Sequence, residues 1–257
     1  MSDLALLEVS GRIARLTLNR PEQRNALSVD LLAALHTRAD ELARMASGDA
    51  GPTVLVVTGA GKSFCAGMDL KAVLGDEKTA VELLRSLAEL TIKVRALPMV
   101  TLARVNGAAI GGGCGLACVC DVGITHAAAK LGYPEVSLGV CPAVVAPWVV
   151  RKIGAGRARR VLLTGGMYSG EEAFAMGMVD QVVPSLDGLD AAAGALADRL
   201  AAGGPLALRA TKALLNELDG SGDAELVRRG AALSAQVLNR PETQAALKAK
   251  LGGDAGR

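Results

Sequence analysis

The chain has 257 residues and a mass of 26.1 kDa, enough to bury one generous core or two small ones. Twenty-eight Lys and Arg against 26 Asp and Glu leave a net charge of +2. Only Phe64, Tyr133, Trp148, Tyr168 and Phe174 are aromatic, so both charge and stacking capacity argue against a nucleic-acid partner. At 51% hydrophobic residues the chain is not of the disordered class. Its longest uncharged runs, 106–120 and 136–150, fall short of the roughly 20 apolar residues of a spanning helix, so no membrane is expected. The N-terminal segment lacks a basic start followed by an apolar stretch, which predicts no secretory signal and a cytoplasmic protein. Cys65, Cys114, Cys118, Cys120 and Cys141 are odd in number and sit among small or apolar residues, as buried thiols in a reducing compartment do. Cys118 and Cys120 are too close together, and too short of His partners, for zinc, and no metal is expected.

Alternation of apolar and polar residues over 4–10 and 12–19 around Gly11 predicts a β-hairpin. Ser28 caps a helix to about Met45, with Leu31, Leu32, Leu35 and Leu42 on one face. A short buried strand follows over 53–58, then an amphipathic helix over 81–96 that stops before Pro98, and a second buried strand over 100–105. Shorter strands are expected at 121–125 and 130–131. From Ala143 the pattern turns helical, with Ser169 and Glu172 spaced as a capping box and a short returning strand at 179–183. Helices over 186–202, 205–218, 224–239 and 241–251 close the chain. Strands with crossovers first and helices last indicate an α/β core over 1–198 and a helical section over 199–257.

Two glycine-rich stretches invite phosphate-binding readings, and both fail. Gly61-Lys62-Ser63 has Val56 where a phosphate loop needs its first glycine, and Gly111-Gly112-Gly113 lacks the third glycine of a dinucleotide fingerprint. Two turns do share a plan: Phe64-Cys65-Ala66-Gly67-Met68-Asp69-Leu70 and Gly107 to Leu116 each come after a buried strand and place small residues at a helix start. Unpaired N–H groups there carry partial positive charge, so one N–H from each turn could hold the oxygen of an enolate or tetrahedral intermediate. A serine or cysteine nucleophile would need a base, and the only histidines are His36 and His126, on a helix and after a strand.

Four blocks in order resemble the crotonase (enoyl-CoA hydratase/isomerase) superfamily over about residues 10 to 250. They are Leu18-Asn19-Arg20-Pro21 with Asn25-Ala26-Leu27; Gly59 to Leu70, ending Ala66-Gly67-Met68-Asp69-Leu70; Asn106-Gly107 through the three glycines to Cys120-Asp121; and Gly132-Tyr133-Pro134-Glu135-Val136-Ser137-Leu138-Gly139. The resemblance implies a spiral of ββα units with a C-terminal helical section for trimerisation, trimers often pairing into hexamers. It implies an acyl-CoA thioester substrate within fatty acid metabolism, with coenzyme A part of the substrate and no separate cofactor. By the same resemblance Met68 and Gly112 would give the two oxyanion N–H groups, and Glu135 the catalytic carboxylate. Arg24, Lys62, Lys71 and Lys250 would meet the coenzyme A phosphates, Ala66 and Leu70 would line the adenine pocket, and Gly115 would lie at the substrate.

Gly115 is also the departure. It stands where the two-glutamate hydratases of the family carry their first glutamate. A lone carboxylate in an apolar cleft should have a raised pKa suited to shuttling a proton, which by residue count favours a Δ3–Δ2 enoyl-CoA isomerase. The segment 138–147 is instead similar to a bacterial branch resembling methylglutaconyl-CoA hydratases that also has glycine there, which favours a hydratase-type lyase. Hydrolysis or decarboxylation of an acyl-CoA, and a non-catalytic acyl-CoA-binding protein, are the remaining readings. Asp69 and Asp121 are available as a second acid, against the plainer expectation that they hold loops and helix ends.

Overall fold

The computed structural model describes residues 4–46 and 51–253. Its strands are β1 (Ala5–Ser10), β2 (Ile13–Leu18), β3 (Val54–Gly59), β4 (Ser63–Cys65), β5 (Val100–Val105), β6 (Ala108–Ile110), β7 (Val122–His126), β8 (Lys130–Gly132), β9 (Met167–Ser169) and β10 (Gln181–Val183). The helices are α1 (Val29–Met45), α2 (Leu70–Val73), α3 (Glu77–Ala96), α4 (Gly112–Val119), α5 (Ala146–Ile153), α6 (Ala155–Thr164), α7 (Gly170–Met176), α8 (Leu189–Ala201), α9 (Pro205–Leu218), α10 (Ala224–Leu238) and α11 (Pro241–Gly253). Among the described residues no helix is long and apolar enough to cross a membrane.

A six-stranded sheet runs β1-β2-β3-β5-β7-β10 and a four-stranded sheet runs β4-β6-β8-β9. The β1–β2 hairpin is antiparallel, turning at Gly11 with φ 55°, and β2, β3, β5, β7 and β10 are parallel. Each of β3, β5 and β7 is followed by a short strand of the second sheet and then by helix. The chain thus climbs as a spiral of strand, strand, helix. Both faces of the larger sheet are covered, so β3 reads VLVVTG and is buried along its whole length. Val54 and Val56 face α8 through Leu189, Ala193 and Ala197, while Leu55 and Val57 join the main core with α1 and α3.

Local capping sets the helix starts. Ser28 Oγ accepts from Leu31 N at 3.2 Å, and the Ser169–Glu172 capping box is formed in both directions. α3 begins at Glu77, earlier than its apolar period indicates, because the Asp76 carboxylate accepts from Thr79 N at 3.0 Å. Helices α9 to α11 complete the helical C-terminal section, and α8 runs unbroken across positions 198 and 199. α9 is held by an unusual anchor: its one buried side chain is Lys212, whose Nζ reaches Asp121 Oδ2 at 2.8 Å and Met99 O at 2.8 Å.

Candidate active site

Two asparagines of the sequence blocks build the first turn. Asn25, buried with φ 55°, donates from Nδ2 to Ala60 O at 3.0 Å and Ser63 O at 2.9 Å, while its Oδ1 accepts from Arg20 N at 2.8 Å. Asn106 accepts from Gly59 N at 3.1 Å and donates to Gly61 O at 2.9 Å. Arg20 closes the frame on Asp69 at 3.0 Å and on Ala26 O at 3.1 Å. Asp69 is therefore an ion-pair partner within the loop. The segment is tied to Leu27 by Leu27 N to Gly67 O at 2.7 Å and Asp69 N to Leu27 O at 3.0 Å, which leaves the intervening Met68 N–H outside this ladder.

The second turn lies against the first. Gly67 has φ 87°, and a Cβ there would fall 2.7 Å from Ile110 O and 3.8 Å from Gly112 N. Gly112 opens α4, a helix buried along its length, so its N–H is one of the donors a helix start leaves unpaired. Gly111 N donates to Gly132 O at 2.8 Å, which fastens this turn to the strand leading into Glu135.

Glu135 begins a 3-10 turn (Glu135–Leu138) after Pro134, and its carbonyl accepts from Val140 N at 2.8 Å. Its Oε2 is buried and has no hydrogen-bond partner among the described residues. Burial raises its pKa to about 7, which its backbone hydrogen bond only partly offsets. The carboxyl lies over Gly111: a Cβ there would stand 2.5 Å from Glu135 Oε1, and Gly111 has φ 52°. Only glycine satisfies both conditions.

Met68, Gly112, Glu135, Ala66 and Leu70 line one cavity of about 70 Å³. Arg24, Lys62 and Lys71 are exposed, Arg24 receiving Ala66 N on its carbonyl at 3.0 Å and the two lysines bracketing the first turn in sequence. Lys250 is exposed on α11 and is not among the cavity-lining residues. Gly115 does not line the cavity either. It is buried one turn inside α4, and the space a side chain would take is filled by Val145.

The other candidate groups are structural. Asp121 accepts from Thr101 N at 2.8 Å and pairs with Arg95 at 3.0 Å as well as with Lys212. His36 Nε2 lies 3.0 Å from Ser86 O, and neither His36 nor His126 lines the cavity. Burial pushes the Cys65 thiol up to about 12. Cys114 is also raised, first by its hydrogen bond to Cys118 and then by burial, so neither thiol flanking the turns is an activated nucleophile. From the sequence, Val144, Val145 and Trp148 are expected to shape the acyl pocket; Val144 lines the cavity, whereas Val145 packs beside Gly115 and neither it nor Trp148 is among the lining residues. Sequence alone assigns Gly111 no role of its own, though the triple glycine hints at one, since one glycine serves the oxyanion turn and another must clear a neighbouring group.

A ββα spiral with two glycine-bearing turns and a buried carboxylate around one cavity is the class of architecture found in crotonase-fold enzymes. A family model for enoyl-CoA hydratase/isomerase matches residues 8–252. A Thermus thermophilus protein provisionally named enoyl-CoA hydratase is 37% identical over 244 residues, 93% of this chain and 94% of that protein. The 2,3-dehydroadipyl-CoA hydratase of Escherichia coli is 35% identical, covering 84% and 83%. The solved structure of Pseudomonas aeruginosa AtuE superposes with a TM-score of 0.79 at 36% identity, covering 93% of each chain. The chain belongs to the enoyl-CoA hydratase/isomerase family, and it is an acyl-CoA enzyme.

Proposed function

We propose that this enzyme adds water across the double bond of an enoyl-CoA with Glu135 as its single acid and base. The observation that carries the reading is Glu135 Oε2, buried and unpartnered in the cavity that Met68 and Gly112 also line. The ionised carboxylate takes a proton from water as its oxygen bonds to carbon three. The double-bond electrons move onto the thioester, and the N–H groups of Met68 and Gly112 hold the enolate oxygen. Glu135, now protonated, returns that proton to carbon two and is regenerated. One carboxylate serves both halves, and a pKa near 7 suits both.

A second reading has one specific observation in its favour. With Val145 in the space beside Gly115, no second carboxylate is available there to hold a water, and proton transfer from carbon two to carbon four needs only one. Incubation with crotonyl-, 3-hexenoyl- and 3-methylglutaconyl-CoA in heavy-oxygen water separates the two. Labelled 3-hydroxyacyl product supports hydration; a shifted double bond without label supports isomerisation. No conversion of any of the three rejects both.

Arg24, Lys62 and Lys71 are the proposed contacts of the coenzyme A phosphates, with Lys250 a fourth; no further cofactor and no metal are needed for these steps. We also propose a homotrimer, or a hexamer of two trimers, supported by the large apolar side chains that α9 leaves exposed, Leu206 at 71% and Leu218 at 74%. The cysteines, all unpaired and four of them buried, fit a cytoplasmic location.

A further inference from the structure

The cavity that holds Glu135 is small and has one electrical character. Beyond the two turns its walls are Leu84, Leu87, Leu138, Val140 and Val144. Among its described lining residues Glu135 is the only acid, and no Lys, Arg or His joins them. Its volume is about 70 Å³. Beside it lies a larger apolar groove of about 450 Å³, lined also by Leu162 of α6 and Val237 of α10. Val140, Cys141 and Pro142 line both spaces.

This partition is pinned at several points. Val140 N donates to Glu135 O at 2.8 Å, and Cys141 O accepts from Ser234 Oγ of α10 at 2.8 Å. The same hydroxyl accepts from Val144 N at 3.2 Å. A wall held from Glu135 on one side and from α10 on the other does not swing aside to admit a longer chain.

Building on the hydratase reading, we infer that the site takes a short, uncharged enoyl group and rejects acyl chains that end in a carboxylate or run to eight carbons, with Val140, Cys141 and Pro142 setting the length. A terminal carboxylate would be desolvated among leucines and valines with no cation to receive it and with Glu135 of like sign beside it. An eight-carbon tail directed past Val140 would have to pass through the partition. Removing the Val140 side chain beyond Cβ joins the cavity to the groove beside it.

Titration calorimetry with butyryl-, octanoyl- and glutaryl-CoA tests this on the intact enzyme, because none of these saturated thioesters can be hydrated. Butyryl-CoA is expected to bind at least about a hundredfold more tightly than glutaryl-CoA and at least about tenfold more tightly than octanoyl-CoA. In Val140→Ala, and separately in Cys141→Gly, the octanoyl-to-butyryl affinity ratio rises at least about tenfold. Glutaryl-CoA binding as well as butyryl-CoA overturns the charge rule, and an unchanged ratio in both variants overturns the wall. Butyryl-CoA binding with no turnover of crotonyl-CoA would instead strike the hydratase reading alone. Failure of all three thioesters to bind overturns both.

Discussion

A side chain at position 115 would collide with Val145: an added Cβ on Gly115 falls 2.3 Å from Val145 Cγ1 and 2.8 Å from its Cβ. Where the two-glutamate pattern has a carboxylate projecting from the first turn of α4, this chain has no side chain there, and the residue just ahead of α5 fills the gap with hydrocarbon. The proposed proton chemistry therefore falls on Glu135.

That packing predicts strong coupling between the two positions. Gly115→Glu alone should destabilise the protein by at least about 1–3 kcal/mol through overpacking. Val145→Ala should relieve little of this, because its Cβ remains 2.8 Å from the new one. Val145→Gly should relieve more, since the next contact is then Val145 Cα at 3.8 Å. Urea unfolding of the single and double variants measures the coupling, expected at about 0.5–3 kcal/mol. Simple additivity would mean the two residues do not compete for this space.

Glu135 gives a pH dependence with a definite sign. Its folded pKa is raised to about 7 by burial, whereas the unfolded chain ionises it near the ordinary glutamate value of 4.5. Between those values the folded state binds one more proton than the unfolded state, so stability from this group is full below about 4.5 and falls until about 7. The loss is on the order of 3 kcal/mol. Glu135→Gln should thus be more stable than the parent above pH 7, with the difference shrinking towards pH 4.5. Its turnover should fall by about 10²–10⁴ or more. In the parent, kcat/KM should rise with pH through about 7 as the base ionises. Denaturation at pH 5 and pH 8.5, with a pH–rate profile, checks each limb.

Elements with a complete local signal were legible in the sequence. The 100–105 strand and the 205–218 helix coincide with β5 and α9, and Ser28 caps α1 as its position before Leu31 and Leu32 predicts. The second sheet was mostly not legible, because β4, β6 and β9 are three residues long and too short for alternation to register. α3 was read late because Val81 is exposed, while the residues that mark its start are a polar cap, Asp76 with Thr79. Within the site, Met68, Gly112 and Glu135 stood out through motif resemblance. Val145 is expected at the acyl pocket with Val144 and Trp148, and the contact it makes instead, across the fold to Gly115, leaves no mark in a run of valines.

Asp121 is predicted to matter for stability rather than for proton transfer. Its carboxylate receives Arg95, Lys212 and Thr101 N, and Lys212 is the buried anchor of α9. Asp121→Ala strands two cations, one of them well buried, and should cost about 3–5 kcal/mol. The pH–rate profile of the folded variant should keep its break near 7, set by Glu135. A profile that loses this break while stability holds would make Asp121 a catalytic acid after all.

The assignment of Met68 rests on its backbone and leaves its side chain free to vary. The N–H of Met68 lies between two hydrogen bonds that secure Leu27 to Gly67 and Asp69, so the chain there is held without using it. Met68→Leu keeps that donor and the apolar bulk, and should retain kcat/KM within a few-fold. Met68→Pro removes the donor, and losing one oxyanion contact costs about 2.7–4 kcal/mol, or about 10²–10³ in kcat. Far-UV circular dichroism and thermal melting establish that the proline variant folds, since Gly67 already has φ 87° and the residue ahead of proline is conformationally restricted. Equal losses in the leucine and proline variants would assign the effect to the side chain and remove Met68 N–H from the oxyanion hole.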